Sequence, residues 1–402
     1  MLNTIVLIVA LGFGSYLAFS RRLAGSSKWR TTVTPLASIM GSGFLVSAPL
    51  LAGIVGNLAV FCMVVLLGVA FLVGEAIRFN IRHFEPIENK NHGPAQTVAF
   101  ISRVVLSGAY FISVTYYLQL LAAFVLEGFG VNNQTLAHSI TSGLLITICS
   151  IGIWRGLGML EGLEKYAIAL NLGMIAALVA GLAIYNGNLL VTGDWQLPNI
   201  SSDINFHDFR ILLGLLIVVQ GFETSRYIGD EHPAEERITT MRLAQLISAG
   251  IYIVFVGLAT VLFQADLDAD VTAIVQMTKP VASVLPVLLS IAAIGSQFSA
   301  AVADTEGAGG LIEDITHHRL PIRYAYALVL VTTLAITWET DVNRIISYAS
   351  RAFALYYALQ CLVAVIVAFE MDKDSRRTFH LVLFSLTGAL CLLVFALGLP
   401  SE

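Results

Sequence analysis

The sequence predicts an all-α polytopic membrane protein, and three observations carry that prediction. Only 12% of the 402 residues are charged, while 57% are hydrophobic; soluble domains carry roughly 25% charge. The apolar residues gather in stretches of the length, about 20 residues, that a helix needs to cross a bilayer. The basic residues concentrate on alternate sides of those stretches.

In chain order the apolar stretches cover 3–20, 32–54, 57–79, 97–126, 137–154, 165–186, 208–229, 242–264, 282–309, 322–338, 343–369 and 379–398, which makes twelve spans. The first has no basic residue ahead of it, is followed by Arg21, Arg22, Lys28 and Arg30, and lacks a small-x-small cleavage site. It reads as an uncleaved helix with its N-terminus outside. Alternating the twelve spans puts 17 of the 22 basic residues on or near the cytoplasmic side. Arg210, Lys279 and Arg344 fall at the outer boundary, and Arg103 and Arg351 within spans. A missed helix would scramble this segregation, so it supports the count and sets both termini outside the cytoplasm. The setting implied is a plasma membrane of the bacterial inner-membrane type.

The longest polar stretch, Asn186 to Phe209, is an ordinary loop, so the chain reads as one membrane domain. The net charge of −5 gives no sign of a nucleic-acid partner, and the outer loops are acidic, as in Asp266-Leu267-Asp268-Ala269-Asp270. Cys62, Cys149, Cys361 and Cys391 all sit in apolar spans, where thiols behave as small hydrophobes. Neither a disulfide nor a structural metal is expected.

Two spans are interrupted at matching places. Ile39-Met40-Gly41-Ser42-Gly43-Phe44-Leu45 opens one set of five spans, and Gln220-Gly221-Phe222-Glu223-Thr224-Ser225 opens the next five, which start from the opposite side. Broken spans in corresponding positions mark the binding site of inverted-repeat transporters. The implied organisation is an extra helix and basic loop at 1–30, a first repeat at 31–186, an outer loop at 187–206, a second repeat at 207–369 and a C-terminal helix at 370–402.

Gly41-Ser42-Gly43-Phe44, followed by Ser47, Ala48 and Pro49, resembles the glycine-serine-glycine signature in the first core helix of amino acid-polyamine-organocation (APC) superfamily permeases. Gly221-Phe222-Glu223 with Gly229-Asp230-Glu231-His232-Pro233 is similar to that superfamily's sixth-helix motif and its acidic, proline-containing tail. The likeness spans about 32–369; the extra N-terminal helix and the number of further spans depart from the usual plan. It implies a LeuT-like five-plus-five bundle and a secondary active transporter of a small amino acid or related amine, working by alternating access.

Local physics adds a site. A helix that opens at Gly41 to Gly43 frees backbone N–H groups and aims a positive dipole end into the gap, where a carboxylate is stabilised without a cationic side chain. Carbonyls near Val219 to Phe222 would accept from an ammonium group. The same glycines also suit close helix packing, so both uses stand. The expected substrate-binding set is Met40, Gly41, Ser42, Gly43, Gln220, Gly221, Phe222 and Thr224, with Tyr110 and Tyr117 from a third helix, where Tyr110, Ser113 and Tyr117 share a face.

Charge at membrane depth costs several kcal/mol unless paired or hydrated. Glu75 and Arg78, and again Glu223 and Arg226, have the i, i+3 spacing of a local pair. Arg103 has no partner nearby in sequence and is expected to snorkel. Asp304 follows a run of small residues and is the first choice for a gate or protonatable site. Arg351 is expected to latch the outer vestibule. Ser296, Ser299 and Asn171 complete the coupling or gating set with Asp304, Glu223 and Arg351. Lys165 lies too near the cytoplasm to match the lysine that proton-linked relatives use. Coupling to Na+ or H+ and substrate exchange all stay open, and no other cofactor is implied.

A channel would need a continuous polar lining. A metal transporter on this fold would need several Asp, Asn, Met or His in the broken segments, which offer only Met40. A membrane enzyme would need clustered acids or histidines at depth, and His317-His318 falls in a loop. Transport of another solute or a metal ion, or sensing without transport, are the alternatives. The expected partners are a small-molecule substrate and the lipid bilayer, with no oligomeric state set by the sequence.

Overall fold

A computed structural model describes residues 2–88, 90, 93–198, 200, 204–229, 232–264, 271–371 and 375–400, without the side chains of Ala24, Ser42, residues 158–165 and Ser375. The acidic loop at 266–270, Asp230 and Glu231 of the tail motif, and the side chains of Ser42 and Lys165 therefore lie outside the described residues.

All regular structure among the described residues is helical. The chain opens with α1 (Leu2–Phe19), α2 (Arg21–Ala24), α3 (Ser27–Val55), α4 (Ala59–His83) and α5 (Glu85–Glu88). It continues with α6 (Pro94–Gly128), α7 (Gln134–Arg155), α8 (Gly158–Thr192), α9 (Phe206–Leu213) and α10 (Thr224–Tyr227). The remainder is α11 (Ala234–Ala259), α12 (Ala273–Met277), α13 (Leu285–Ile315), α14 (Ile322–Glu339), α15 (Val342–Glu370) and α16 (Ser375–Leu397). Side-chain caps start several of them. Ser26 accepts from the Trp29 N–H, Asn133 from Leu136, and Asp341 from Arg344, while Asn205 and Asp208 form a capping box.

Nine helical segments among the described residues are long and apolar enough to cross a membrane. One of them, Ser27–His83, covers α3 and α4 together, joined by a 3-10 turn at Gly56–Leu58. Neither the interrupted stretch from α9 to α10 nor the 18-residue α14 meets that criterion. The count of twelve thus stays an expectation, while the individual helices follow the apolar stretches closely.

The packing follows a pairwise exchange. If α3, α4, α6, α7 and α8 are matched in order with the α9–α10 segment, α11, α13, α14 and α15, the main contacts have counterparts. α6 packs on α13 and α7 on α14, pairs that map onto themselves. The α6–α15 contact maps onto α13–α8, and α4–α15 maps onto α11–α8. α3 packs on α11 as the 3-10 turn at Leu216–Val219 packs on α4. Such correspondence is what an inverted repeat produces. Outside it, α1 lies on α8 and α16 on α15.

The two interruptions differ in kind. The second is a true break: α9 ends at Leu213, a 3-10 turn covers Leu216–Val219, Gln220 is extended, and Gly221 has φ 115° before α10 begins. Only glycine adopts that φ readily. The first is no break at all, because α3 runs as one helix through Gly41, Ser42 and Gly43. The expected freeing of N–H groups there does not occur. The glycines serve close approach instead: a Cβ on Gly43 would stand 2.5 Å from the Val218 Cα, and one on Gly41 would stand 3.1 Å from Ser296 Oγ. Pro35 and Pro49 also lie within α3, and Ser47 Oγ donates to the Phe44 carbonyl at 2.7 Å beside Pro49.

Candidate substrate cavity

A cavity of about 110 Å³ opens between α3, α6, α8, α10 and α13. Each helix contributes one face by its period. α3 supplies Thr34, Ala37, Ser38 and Gly41, a stripe of small side chains at i, i+3, i+4 and i+7. α6 brings Tyr110 and Tyr117, and α8 brings Asn171 with Ile168 and Leu172. α13 presents Ser296, Ser299, Ala300, Ala303 and Asp304, and α10 presents Thr224. The cavity thus runs from Gly41 and Tyr117 toward Thr34 and Ala167, the end of the bundle where the basic residues gather.

Its polar groups are held from outside the cavity. Ser113, fully buried on α6, donates from Oγ to Asp304 Oδ2. Gln220 Nε2 donates to the Tyr117 hydroxyl at 3.0 Å. Gln297 Nε2 donates to the Gly41 carbonyl at 2.9 Å. Among the described lining residues Asp304 is the one carboxylate, and none is Lys, Arg or His.

The opposite end is closed by packing. Gly43 meets Val218, and Phe44 packs on Tyr252 and Phe255 with ring centroids 5.3 and 4.4 Å apart. The break is pressed onto α3 a second time, since a Cβ on Gly221 would lie 2.5 Å from Ser38 Oγ and 2.8 Å from the Ile39 nitrogen.

Side chains complete the backbone of the break. The Ile217 N–H donates to Ser350 Oγ at 2.9 Å, and Tyr252 reaches the Val218 carbonyl at 2.6 Å and the Ile39 carbonyl at 3.0 Å. The Gly221 N–H donates to Glu223 Oε2 at 3.0 Å, and Thr224 Oγ1 donates to the Gly221 carbonyl at 2.8 Å. At membrane depth no water is available to do this, so each break needs such partners. Phe222, expected in the substrate-binding set, does not line the cavity and stacks on Tyr357 at 5.4 Å, and Tyr357 donates to Glu223 Oε2 at 2.8 Å.

Three readings of charge change. Glu223 does not pair with Arg226; it turns back onto Gly221, while Arg226 bonds Gln360 Oε1 and reaches Glu88 at 3.4 Å. The i, i+3 spacing fails because α10 is a single turn that begins after Glu223. Arg103 does not simply snorkel, since Asp314 of α13 takes its NH1 at 2.7 Å. Among the described residues Arg351 has no acidic partner. Its Nε donates to the Phe395 carbonyl of α16 at 2.7 Å, outside the cavity. Glu75 and Arg78 do pair, at 3.2 Å, and Glu75 is shared with Arg242 at 3.0 Å.

Of the residues singled out from sequence, Gly41, Tyr110, Tyr117, Asn171, Thr224, Ser296, Ser299 and Asp304 line this one cavity. Met40 and Gly43 border a narrow pocket of about 10 Å³ beyond it. Gln220 acts through Tyr117, and Gly221, Phe222 and Glu223 stand behind the wall. Sequence reasoning missed Thr34 and Ser38, whose signal was the small-residue stripe leading to Gly41. It also missed Gln297, Tyr252 and Tyr357, whose partners are carbonyls and a carboxylate on distant helices.

A family model described as an APC superfamily transporter matches residues 21–398. An uncharacterised protein of Aquifex aeolicus (strain VF5) is 42% identical over 382 residues, 92% of each chain. The crystal structure of a mutant manganese transporter from Eremococcus coleocola resembles this chain with a TM-score of 0.59 at 14% identity, over 92% of this chain and 87% of that one. MhsT in complex with L-phenylalanine gives a TM-score of 0.59 at 12% identity, over 93% and 99%. These two likenesses show the fold, a LeuT-like helical bundle. With its long apolar helices the chain is an integral membrane protein and belongs to the APC superfamily of transporters.

Proposed function

We propose that this transporter carries a small amine or amino acid, whose ammonium group is held by Asp304. The observation that carries the reading is the pairing of that carboxylate, oriented by Ser113, with a cavity whose described lining offers no cation. A carboxylate facing a low-dielectric cavity attracts a cation strongly, and the ammonium also finds hydroxyl and phenol acceptors on Tyr110, Tyr117, Ser296, Ser299 and Thr224. Because α3 is unbroken, the amine end of the substrate is better provided for than its carboxylate. Asn171, buried and lining the cavity, is the amide donor nearest to serve a carboxylate. The volume of about 110 Å³ suits a small solute, since one water needs roughly 10–15 Å³ of the same space.

An alternating-access cycle is supported by the difference between the two ends: contacts at Gly43 and Phe44 seal one side, while the cavity extends toward the basic end, which the positive-inside pattern would make cytoplasmic. The state described is then inward-directed. The manganese transporter among the similar structures raises a metal ion as the second reading. A hard divalent ion gathers several anionic oxygens, and the described lining gives one. Glu223, buried and accepting from the Gly221 N–H and the Tyr357 hydroxyl, is the proton-site candidate behind the cavity.

The test is thermal stabilisation of the purified protein by primary amines, amino acids, organic acids and Mn2+, with and without Na+. A ligand at about 100 times its dissociation constant adds about 2.7 kcal/mol. Stabilisation by a small amine or amino acid is expected. Stabilisation by Mn2+ or by organic acids alone would overturn the reading.

A further inference from the structure

A second cavity, of about 380 Å³, lies between the last turns of α4, the start of α11 and the first turns of α16. It is the chemical opposite of the first. Arg78, Arg82, Arg242, His83 and His380 line it, and Glu75 is the one acid among the described lining residues. Glu235 engages Arg82 from outside at 2.8 Å. Among the described residues, three guanidinium groups therefore stand against two carboxylates before either imidazole is counted.

The hydrogen bonds inside it are incomplete. Arg78 is only 2% exposed, and it spends its terminal nitrogens on Gln245, the Phe71 carbonyl and Glu75. Among the described residues its Nε has no hydrogen-bond partner, and neither does His380 Nδ1. Buried polar groups are nearly always satisfied, so the Arg78 N–H, and the His380 ring when it carries its proton on Nδ1, call for an acceptor that the described residues do not supply.

The walls tell what carries that acceptor. His380 stacks on Phe384 at 5.5 Å and lies 5.1 Å from Phe79, giving the pocket an aromatic floor. Phe379 and Leu72 also line it and are 62% and 37% exposed on the flank of the bundle. Cations above an exposed apolar flank, at the membrane boundary, match a phosphate head joined to acyl chains. Basic pockets between spanning helices take anionic lipids in this way.

We propose that this cavity is a binding site for an anionic phospholipid, with its phosphate among Arg78, Arg82, Arg242 and His380 and its chains along Phe379 and Leu72. Bound there, the lipid ties α16 to α4 and α11. The proposal is independent of the substrate cavity.

The experiment uses delipidated full-length protein in detergent and reads thermal stability on adding phosphatidylglycerol, phosphatidylcholine, or inorganic phosphate. Stabilisation by phosphatidylglycerol alone is expected. The variant Arg82→Gln with Arg242→Gln alters two half-exposed side chains and should weaken the lipid effect on the order of tenfold. Arg319→Gln with Arg323→Gln, whose side chains do not line the cavity, should leave it unchanged. Equal stabilisation by phosphatidylcholine would mean lipid solvation without a headgroup site. Stabilisation by inorganic phosphate would mean a soluble-anion site. Either result, or an undiminished effect in the Arg82/Arg242 variant, overturns the proposal.

Discussion

Gly43 of α3 and Val218 of the broken segment meet so closely that a methyl group on Gly43 would lie 2.5 Å from the Val218 Cα and 2.9 Å from its side chain. The nearest atom is backbone, which cannot swing aside as a side chain tip can. Gly43→Ala should therefore push α3 off the break, lowering stability by about 1–3 kcal/mol in thermal unfolding and reducing uptake in proteoliposomes. Gly68→Ala, inside α4, is the control, because nothing lies within 4 Å of the added carbon; it should not destabilise the protein.

Tyr252 joins the same two segments through a single hydroxyl, placed between the carbonyls of Ile39 and Val218. Tyr252→Phe keeps the ring packed on Phe44 and removes only the donor. The buried carbonyl left unanswered should cost about 1–3 kcal/mol. Thermal unfolding of the variant beside wild type measures it, and an unchanged transition would show that the hydroxyl does not brace the break.

Glu223 closes the break from below by accepting the Gly221 N–H and the Tyr357 hydroxyl. Glu223→Gln keeps an oxygen at that position and should fold nearly as well as wild type. Glu223→Ala leaves both donors unpaired and should lose about 1–3 kcal/mol. Comparing the two unfolding transitions separates the role of the oxygen from that of the charge.

Ser113 contributes to the cavity without lining it, by fixing the Asp304 carboxylate. Ser113→Ala should weaken amine binding on the order of tenfold while leaving the fold intact, the usual worth of one hydrogen bond to a charged group. Titration calorimetry reads the change directly.

The helices and the faces they bring to the cavity were largely legible, since 110 with 117 on α6 and 296 through 304 on α13 follow helical periodicity. The break at Gln220 was legible too. The use of Gly41 and Gly43 was not, because an opened helix and a close crossing both require the absence of a Cβ, and only the position of Val218 decides between them. Glu223 and Arg226 misled for a related reason: i, i+3 spacing predicts a pair only if the helix includes both residues, and here it starts between them. Arg103 with Asp314 and Ser113 with Asp304 are separated by 211 and 191 residues, so local scanning sees one partner at a time. Arg351 bonds a backbone carbonyl, which has no signature in sequence.

Asp304 is the proposed counter-charge of the bound amine. The most direct measurement is titration of wild type and Asp304→Asn with whichever small amine or amino acid stabilises the wild type, at matched pH. Loss of binding by about 100-fold or more in a variant that unfolds at the wild-type temperature is the predicted result, in the range of 3–5 kcal/mol for removing one partner of a buried ion pair. Equal affinity in the two proteins would contradict the account.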